Sequence, residues 1–406
     1  MNQNKKKILI ISPAAPFPLR SGADLAQHYF LEKRVEGVEY TFCTKVYDDH
    51  HYYKVIEYKK QNKDIHIILF DKRPAKFSLL SLKIFAAKIF NKLRDEPVAS
   101  REKTYKPYND YVDRDYVNFI NTAITEHNID VIQFEFLHDA QLAEFIVPQV
   151  TKVLIHHEIW YKAVQLRNEK SGLFSGKEME KMKSQELKLL RNFDKVAVFN
   201  KDDQQELQKQ LPDCQIVLSP YGIPDSEIVK KNSSDQFKTL LFIGSEIHLP
   251  NEQGLSWFIE TFFIPNYDLY NYTLIIIGRW SHSYKDRYKK YSKIRFLGVV
   301  ENLAPFYEDS IMLSPITSGS GLRTKILIAL ANRLPVLTTR FSAEGLFDEQ
   351  NNKHLLFFDN EEELTNILTS PQLKNTLRTK AELGHAYFRD NFSKKILLNN
   401  RFSLYD

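Results

Sequence analysis

The chain has 406 residues with 43% apolar side chains, enough for a large buried core and more than one small domain needs, so two domains are expected. Lysine and arginine total 56 against 51 aspartate and glutamate, and a net charge of +5 is too dilute to argue for a nucleic-acid binder. An anionic small molecule or an acidic membrane surface suits it equally well. The two cysteines, Cys43 and Cys214, each sit in an apolar run and read as small buried hydrophobes of a reducing compartment. After the N-terminal lysines the apolar stretch is too short for a secretion signal, and prolines cut it off. No run approaches the ~18 apolar residues of a spanning helix, so the expected location is the cytoplasm.

Along the chain, short runs of Ile, Val, Leu and Phe alternate with longer amphipathic stretches. Strands are predicted at 7–12, 38–44, 64–70, 130–136, 152–157, 194–200 and 214–219. Runs apolar on both faces and separated by helical stretches indicate parallel strands covered by helices. The polar stretch 224–237 lacks apolar periodicity and reads as a linker, after which a second set follows at 238–244, 272–278, 293–298, 310–315, 334–339 and 354–358. A last helix, capped by Ser393, is predicted over 393–406.

The strand at 310–315 runs into Gly319, Ser320 and Gly321 and then a helix from about Arg323 to Ala331. Glycines let a backbone approach a ligand closely, and the N–H groups at a helix start favour an anion. Arg323 and Lys325 lie in the first turn, where cations oppose the helix dipole unless something negative sits nearby. A phosphate accounts for them; so does a plain strand-to-helix turn with two surface cations.

The stretch "PITSGSGLRTKILIALANRLPVLTTRFSAEGL", 315–346, resembles the donor-binding signature of the family 4 (group 1) glycosyltransferases of GT-B fold. Four further stretches are similar to that family in the right order: 12–34, 154–161, 192–223 and 242–263. The resemblance implies an α/β chain of two Rossmann-like, doubly wound domains facing a cleft. Residues 1–222 would form the acceptor domain, 223–235 the linker and 236–392 the nucleotide-sugar domain, with 393–406 crossing back. It implies a retaining hexosyltransferase, metal-independent and without cofactor, that moves a sugar from a nucleotide diphosphate sugar to an acceptor hydroxyl in surface polysaccharide or glycoconjugate synthesis. The acceptor would be a saccharide or lipid-linked.

By the same resemblance, Ser320, Gly321 and Leu322 form the phosphate turn beside Arg323, Thr324 and Lys325. Gly22 matches one of two N-terminal glycines, the other position being Ala23, and His157 stands where the family has its domain-closing histidine and would position the reacting sugar or the acceptor. The first donor-domain strand brings Gly244 and Ser245, and Gly278 and Arg279, by their own place at the carboxyl end of the next strand, are candidates to approach the nucleotide. His157, Lys325 and Arg323 are thus the candidates for the chemistry. The family's ribose-binding acid is replaced by Ile328, and 316–321 offers no carboxylate; Glu344 is the candidate substitute. Ile328 keeps a second class open, a non-catalytic partner of an active transferase. A sugar-nucleotide epimerase of the same fold is a third, with Glu135 and Glu158 as its candidate acids.

Three other patterns are weighed. Asp113 and Asp115 form an Asp-x-Asp pair that opens a helical stretch, so capping is preferred to metal binding. The adjacent pairs His50-His51 and His156-His157 lack a compact third ligand, and no zinc is expected. In 73–96, Leu82, Phe85, Ile89 and Leu93 share one helical face opposite Lys76, Lys83 and Arg94, which suits a surface helix packed on the sheet or a peripheral contact with the inner membrane face. The mixed aromatic and basic stretch 279–293 is read as a solvated connecting helix, and no nucleic-acid partner is expected.

Overall fold

A computed structural model describes residues 5–19, 21–74, 108, 111–229, 236–319, 321–346 and 353–406. Most of the amphipathic stretch 73–96, Ser320 and part of the 223–235 linker lie outside them. The chain divides into two compact units, Met1–Pro220 with Leu398–Asp406, and Tyr221–Leu397.

In the first unit, β1 (Lys6–Ser12), β2 (Val38–Val46), β3 (His66–Asp71), β4 (Val131–Glu135), β5 (Thr151–Ile155), β6 (Lys195–Val198) and β7 (Gln215–Leu218) form one parallel sheet in the order β3-β2-β1-β4-β5-β6-β7. Described helices, numbered in chain order, are α1 (Gly22–Lys33), α2 (Asp49–Gln61), α3 (Arg114–Glu126), α4 (Trp160–Ser171), α5 (Gly176–Leu190) and α6 (Lys201–Gln210). Leu9, Ile11, Ile132, Phe134, Leu154 and Val196 pack with Tyr116, Ile120, Trp160 and Leu190 in one buried cluster. The opposite face of β1 carries Ile8 and Ile10, in register with Tyr40 and Phe42 of β2 and with Val131 and Gln133 of β4. Strand β4, read as apolar on both faces, is apolar on one only: Gln133 and Glu135 occupy the other, yet both are buried.

Several helix starts are capped by short polar residues that the sequence places there. Ser21 and Asp24 make a reciprocal capping box at α1, and Ser175 with Glu178 does the same at α5. Asp113 caps α3 by accepting from Tyr116 N, while Lys45 and Lys72 pair with its carboxylate and Lys72 also reaches Asp115. The Asp-x-Asp pair therefore ends as a helix cap within a lysine cluster. Of the cysteines, Cys43 is buried with its thiol pushed up to about 12 by desolvation. Cys214 is only half-buried, its Sγ 3.7 Å from the Phe193 carbonyl, because it lies in the turn before β7 and not inside the strand.

The second unit repeats the plan with β8 (Thr239–Ile243), β9 (Thr273–Ile277), β10 (Ile294–Gly298), β11 (Ser310–Ser314), β12 (Val336–Thr338) and β13 (Leu356–Phe357), ordered β10-β9-β8-β11-β12-β13 and all parallel. Its helices are α7 (Leu249–Phe258), α8 (His282–Tyr288), α9 (Thr324–Ala331), α10 (Glu361–Leu368) and α11 (Leu373–Asn391), with α12 (Lys394–Phe402) after them. Leu240, Phe242, Leu274, Ile276, Ile311 and Leu313 form the core with Phe258, Phe262 and Phe358. In both sheets the strand order reverses beside the first strand, between β1 and β4 and between β8 and β11. Crevices at the carboxyl ends of such switch points are where doubly wound sheets bind ligands. Among the described residues, no helix is long and apolar enough to cross a membrane.

Candidate functional site

The switch point of the second sheet is built from the loops after β8 and β11. Lys325, in the first turn of α9, donates from Nζ to Asn251 Oδ1 at 2.8 Å and lies 4.2 Å from the centroid of the Phe242 ring. Asn251, at the start of α7, donates in turn to the Ser245 carbonyl at 3.3 Å. One amide acceptor and an aromatic face do not replace the water this ammonium has lost. Burial, assisted by the Arg323 charge, pushes the Lys325 pKa down to about 7.

Arg323 occupies the N-cap position of α9 without a side-chain capping bond. Its Nη2 donates to the carbonyls of Gly319 (3.0 Å) and Ser318 (3.4 Å), and the guanidinium lies 5.6 Å from the centroid of the Phe341 ring. Gly319 and Gly321 have φ of +90° and +83°, backbone that other residues rarely adopt. A Cβ on Gly319 would also stand 3.0 Å from Pro250 Cγ, so the turn after β11 is pressed against the start of α7. Leu322 is half-buried. The Thr324 and Tyr221 hydroxyls lie 2.6 Å apart, and Asn332 binds the Glu227 carbonyl and the Val229 N–H, which strap 221–229 along α9. Two cations, a helix start and a left-handed glycine turn thus converge at one switch point, a geometry suited to a phosphate-bearing ligand.

Gly244, Ser245, Gly278 and Arg279 are adjacent. Gly244 N donates to Ile277 O, its carbonyl accepts from Trp280 Nε1, and the Arg279 N–H reaches Ser245 Oγ at 3.2 Å. A Cβ on Gly278 would fall 2.1 Å from Gly244 O. The glycines here serve the contact between the loops after β8 and β9, while the Arg279 side chain is exposed.

Ile328 is 5% exposed, one helical turn beyond Lys325. Glu344 is exposed and follows the short turn Phe341–Ala343 after β12. The Ser342 hydroxyl, 2.6 Å from that of Ser314, and Thr339, which donates to Ile316 O, tie this loop to the one after β11.

In the first unit, Gly22 opens α1 behind the Ser21 cap, in the connection following β1. The two adjacent histidines after β5 part company. His156 is buried with Nε2 2.8 Å from Glu186 Oε1; that carboxylate also accepts the N–H groups of Trp160 and Tyr161 and so anchors the start of α4. His157 turns to Glu135, Nε2 to Oε2 2.9 Å, and is stacked on Phe136 at 3.9 Å with Phe199 at 5.0 Å. Desolvation lowers its pKa against the pull of Glu135. Glu135 is thus spoken for as the partner of His157, and Glu158 follows it in the loop before α4.

The sequence reading does not include Asn251, Gln133, Glu186 or Tyr405. For Gln133 a signal was present, because "VIQFEF" alternates apolar and polar side chains. Asn251 and Glu186 gave none, since each is recruited from a distant part of the chain. Among the described residues, no group of three or more His, Cys, Asp or Glu is placed to hold a metal ion.

Residues 237–370 match the family described as "Glycosyl transferases group 1". No curated protein matches the sequence. Solved structures with similar folds include TarM (TM-score 0.67, 10% identity, 100% of both chains) and sucrose-phosphate synthase from Thermosynechococcus elongatus (0.63, 13%, 99% of this chain and 98% of that one). The pneumococcal O-GlcNAc transferase GtfA, solved with UDP and GlcNAc, is a third (0.61, 12%, 99% and 98%). The segment 237–370 is thus similar to the group 1 glycosyltransferases, and the chain as a whole shares the GT-B fold of these solved structures.

Proposed function

We propose that the protein transfers a sugar from a nucleoside diphosphate sugar to an acceptor hydroxyl, with retention, in the synthesis of a surface polysaccharide or glycoconjugate. The observation that carries this reading is Lys325: a cation held half-buried at a helix start, its contacts among the described residues an amide oxygen and a ring, is stabilised when an anion arrives. Support comes from the family match and from two neighbours, GtfA and a variant of S. aureus TarM, both solved with UDP. Negative charge developing on the departing diphosphate would be met by Lys325, Arg323, the N–H groups of Gly321 and Leu322, and the positive end of α9. The acceptor, a saccharide or a lipid-linked saccharide, would meet His157 through a hydroxyl, and the work would be done in the cytoplasm or at the inner face of the membrane, with no cofactor. The test is release of UDP or GDP from their common sugar conjugates on addition of saccharide acceptors, with the anomeric configuration of the product read by NMR.

Burial of Ile328 favours one specific consequence and keeps the non-catalytic reading in play. An apolar side chain cannot accept from ribose hydroxyls, so UDP and 2′-deoxy-UDP should bind within about threefold of each other. Ile328→Glu should favour UDP by roughly tenfold, the worth of one hydrogen bond to a charged acceptor. Titration calorimetry of both nucleotides with both proteins checks this; strong preference of the wild type for UDP would assign the ribose contact to another group, Glu344 first. Binding only in Ile328→Glu would favour the non-catalytic partner.

A further inference from the structure

Gln133 and Glu135 stand two residues apart on β4 and face the same way. Glu135 is 4% exposed and both of its oxygens are engaged: Oε1 accepts from Gln133 Nε2 at 2.7 Å, and Oε2 lies 2.9 Å from His157 Nε2. Gln133 Oε1 accepts in turn from the Tyr405 hydroxyl at 2.6 Å, and Tyr405 is 1% exposed. A single file of hydrogen bonds therefore runs from the C-terminal segment through the sheet to the histidine.

The chemistry of each link fixes the next. A carboxylate only accepts, so His157 donates through Nε2–H, and a neutral ring then keeps its lone pair on Nδ1. Gln133 must turn its NH2 to the carboxylate, which leaves its carbonyl for the tyrosine. Two further features bear on the ring. Phe136 adopts φ +67°, a left-handed backbone that is costly for a bulky residue, and its ring stacks on the imidazole at an interplanar angle of 26°. Arg401 of α12 is 2% exposed and stacked 3.7 Å from the Phe30 centroid. The charged and titratable groups around His157 are thus Glu135 from β4, Arg401 from α12 and His156 from the end of β5, with Tyr405 and Tyr40 behind Glu135.

We propose that Tyr405, Gln133 and Glu135 are positioning residues that hold His157 as a neutral Nε2–H imidazole, leaving Nδ1 to accept a hydrogen bond from a hydroxyl of the acceptor substrate. The role in transfer rests on the function proposed above; the tautomer does not.

The test is a pH series of long-range ¹H–¹⁵N correlation spectra on histidine-labelled full-length protein, with His157 assigned by its loss in His157→Asn. The wild type should show the Nε2–H tautomer across neutral pH. Glu135→Gln, which removes the charge but not the shape, should lower the His157 pKa further and mix the tautomers. Tyr405→Phe, which frees Gln133 to turn away and lets the carboxylate charge fall more fully on the ring, should raise the pKa. Glu135→Gln should also cut UDP release from UDP-glucose or UDP-N-acetylglucosamine in the presence of a saccharide at least tenfold. A wild-type ring in the Nδ1–H form overturns the proposal without any variant, and so does a His157 pKa that neither substitution moves. The transferase reading fails separately, in a wild type that shows the Nε2–H ring but releases no nucleoside diphosphate from the common UDP- and GDP-sugars, with or without acceptor.

Discussion

Lys325→Ala is expected to weaken UDP binding on the order of a hundredfold, because about 3 kcal/mol is what charge-assisted hydrogen bonds to a phosphate contribute in a water-poor site. The same lysine costs the free protein stability. Its folded pKa lies near 7 against an ordinary 10.5, so between those values the unfolded chain holds one more proton than the folded one, and stability rises with pH over that window. Below about pH 7 the full cost is present. Lys325→Met should accordingly raise Tm at pH 6 and lose that advantage as the pH approaches 10. Ligand binding has the opposite linkage. A diphosphate prefers the protonated amine, so UDP affinity should be highest below pH 7 and fall above it, with proton uptake visible as a dependence of the calorimetric heat on the buffer's ionisation enthalpy. Equal UDP affinity in wild type and Lys325→Ala would remove Lys325 from the donor site.

Gly278→Ala should destabilise the second unit by about 3 kcal/mol or more, combining backbone strain with an overlap that cannot relax cheaply. Gly278 has φ +139°, and the added methyl would sit 2.1 Å from a backbone carbonyl, that of Gly244, whose neighbours are themselves fixed by Trp280 and Ile277. Gly298→Ala is the control. It also has positive φ, +74°, but nothing lies within 4 Å of the new methyl, so only the strain of about 1 to 2 kcal/mol remains. Thermal unfolding should separate the two variants by several degrees in a domain of this size. Similar losses in both would mean that the loops after β8 and β9 are not packed as described.

The strands were legible because each is a short, β-branched run between turn residues, and parallel strands buried on both faces write that pattern plainly; "KILIIS" and "YTLIIIG" needed no partner to be recognised. The turn at 319–325 was legible too, since glycines with positive φ and first-turn cations are local facts. What the sequence could not display is company. Lys325 looks like a surface cation until Asn251, far back in the chain, is seen to hold it. Gly278, at the end of a strand, does not disclose that the Gly244 carbonyl lies against it. The side chains of Gln133 and Glu135 acquire their meaning from Tyr405, which no periodicity connects to them.

The central claim is that the second unit's switch point binds the diphosphate of a nucleotide sugar. Its most direct test is isothermal titration of the wild-type protein with UDP and GDP near pH 6.5. Micromolar, one-to-one binding of at least one of them is expected, lost in Lys325→Ala and weakened above pH 7. Absence of binding by either nucleotide, in a protein shown to be folded, would contradict it.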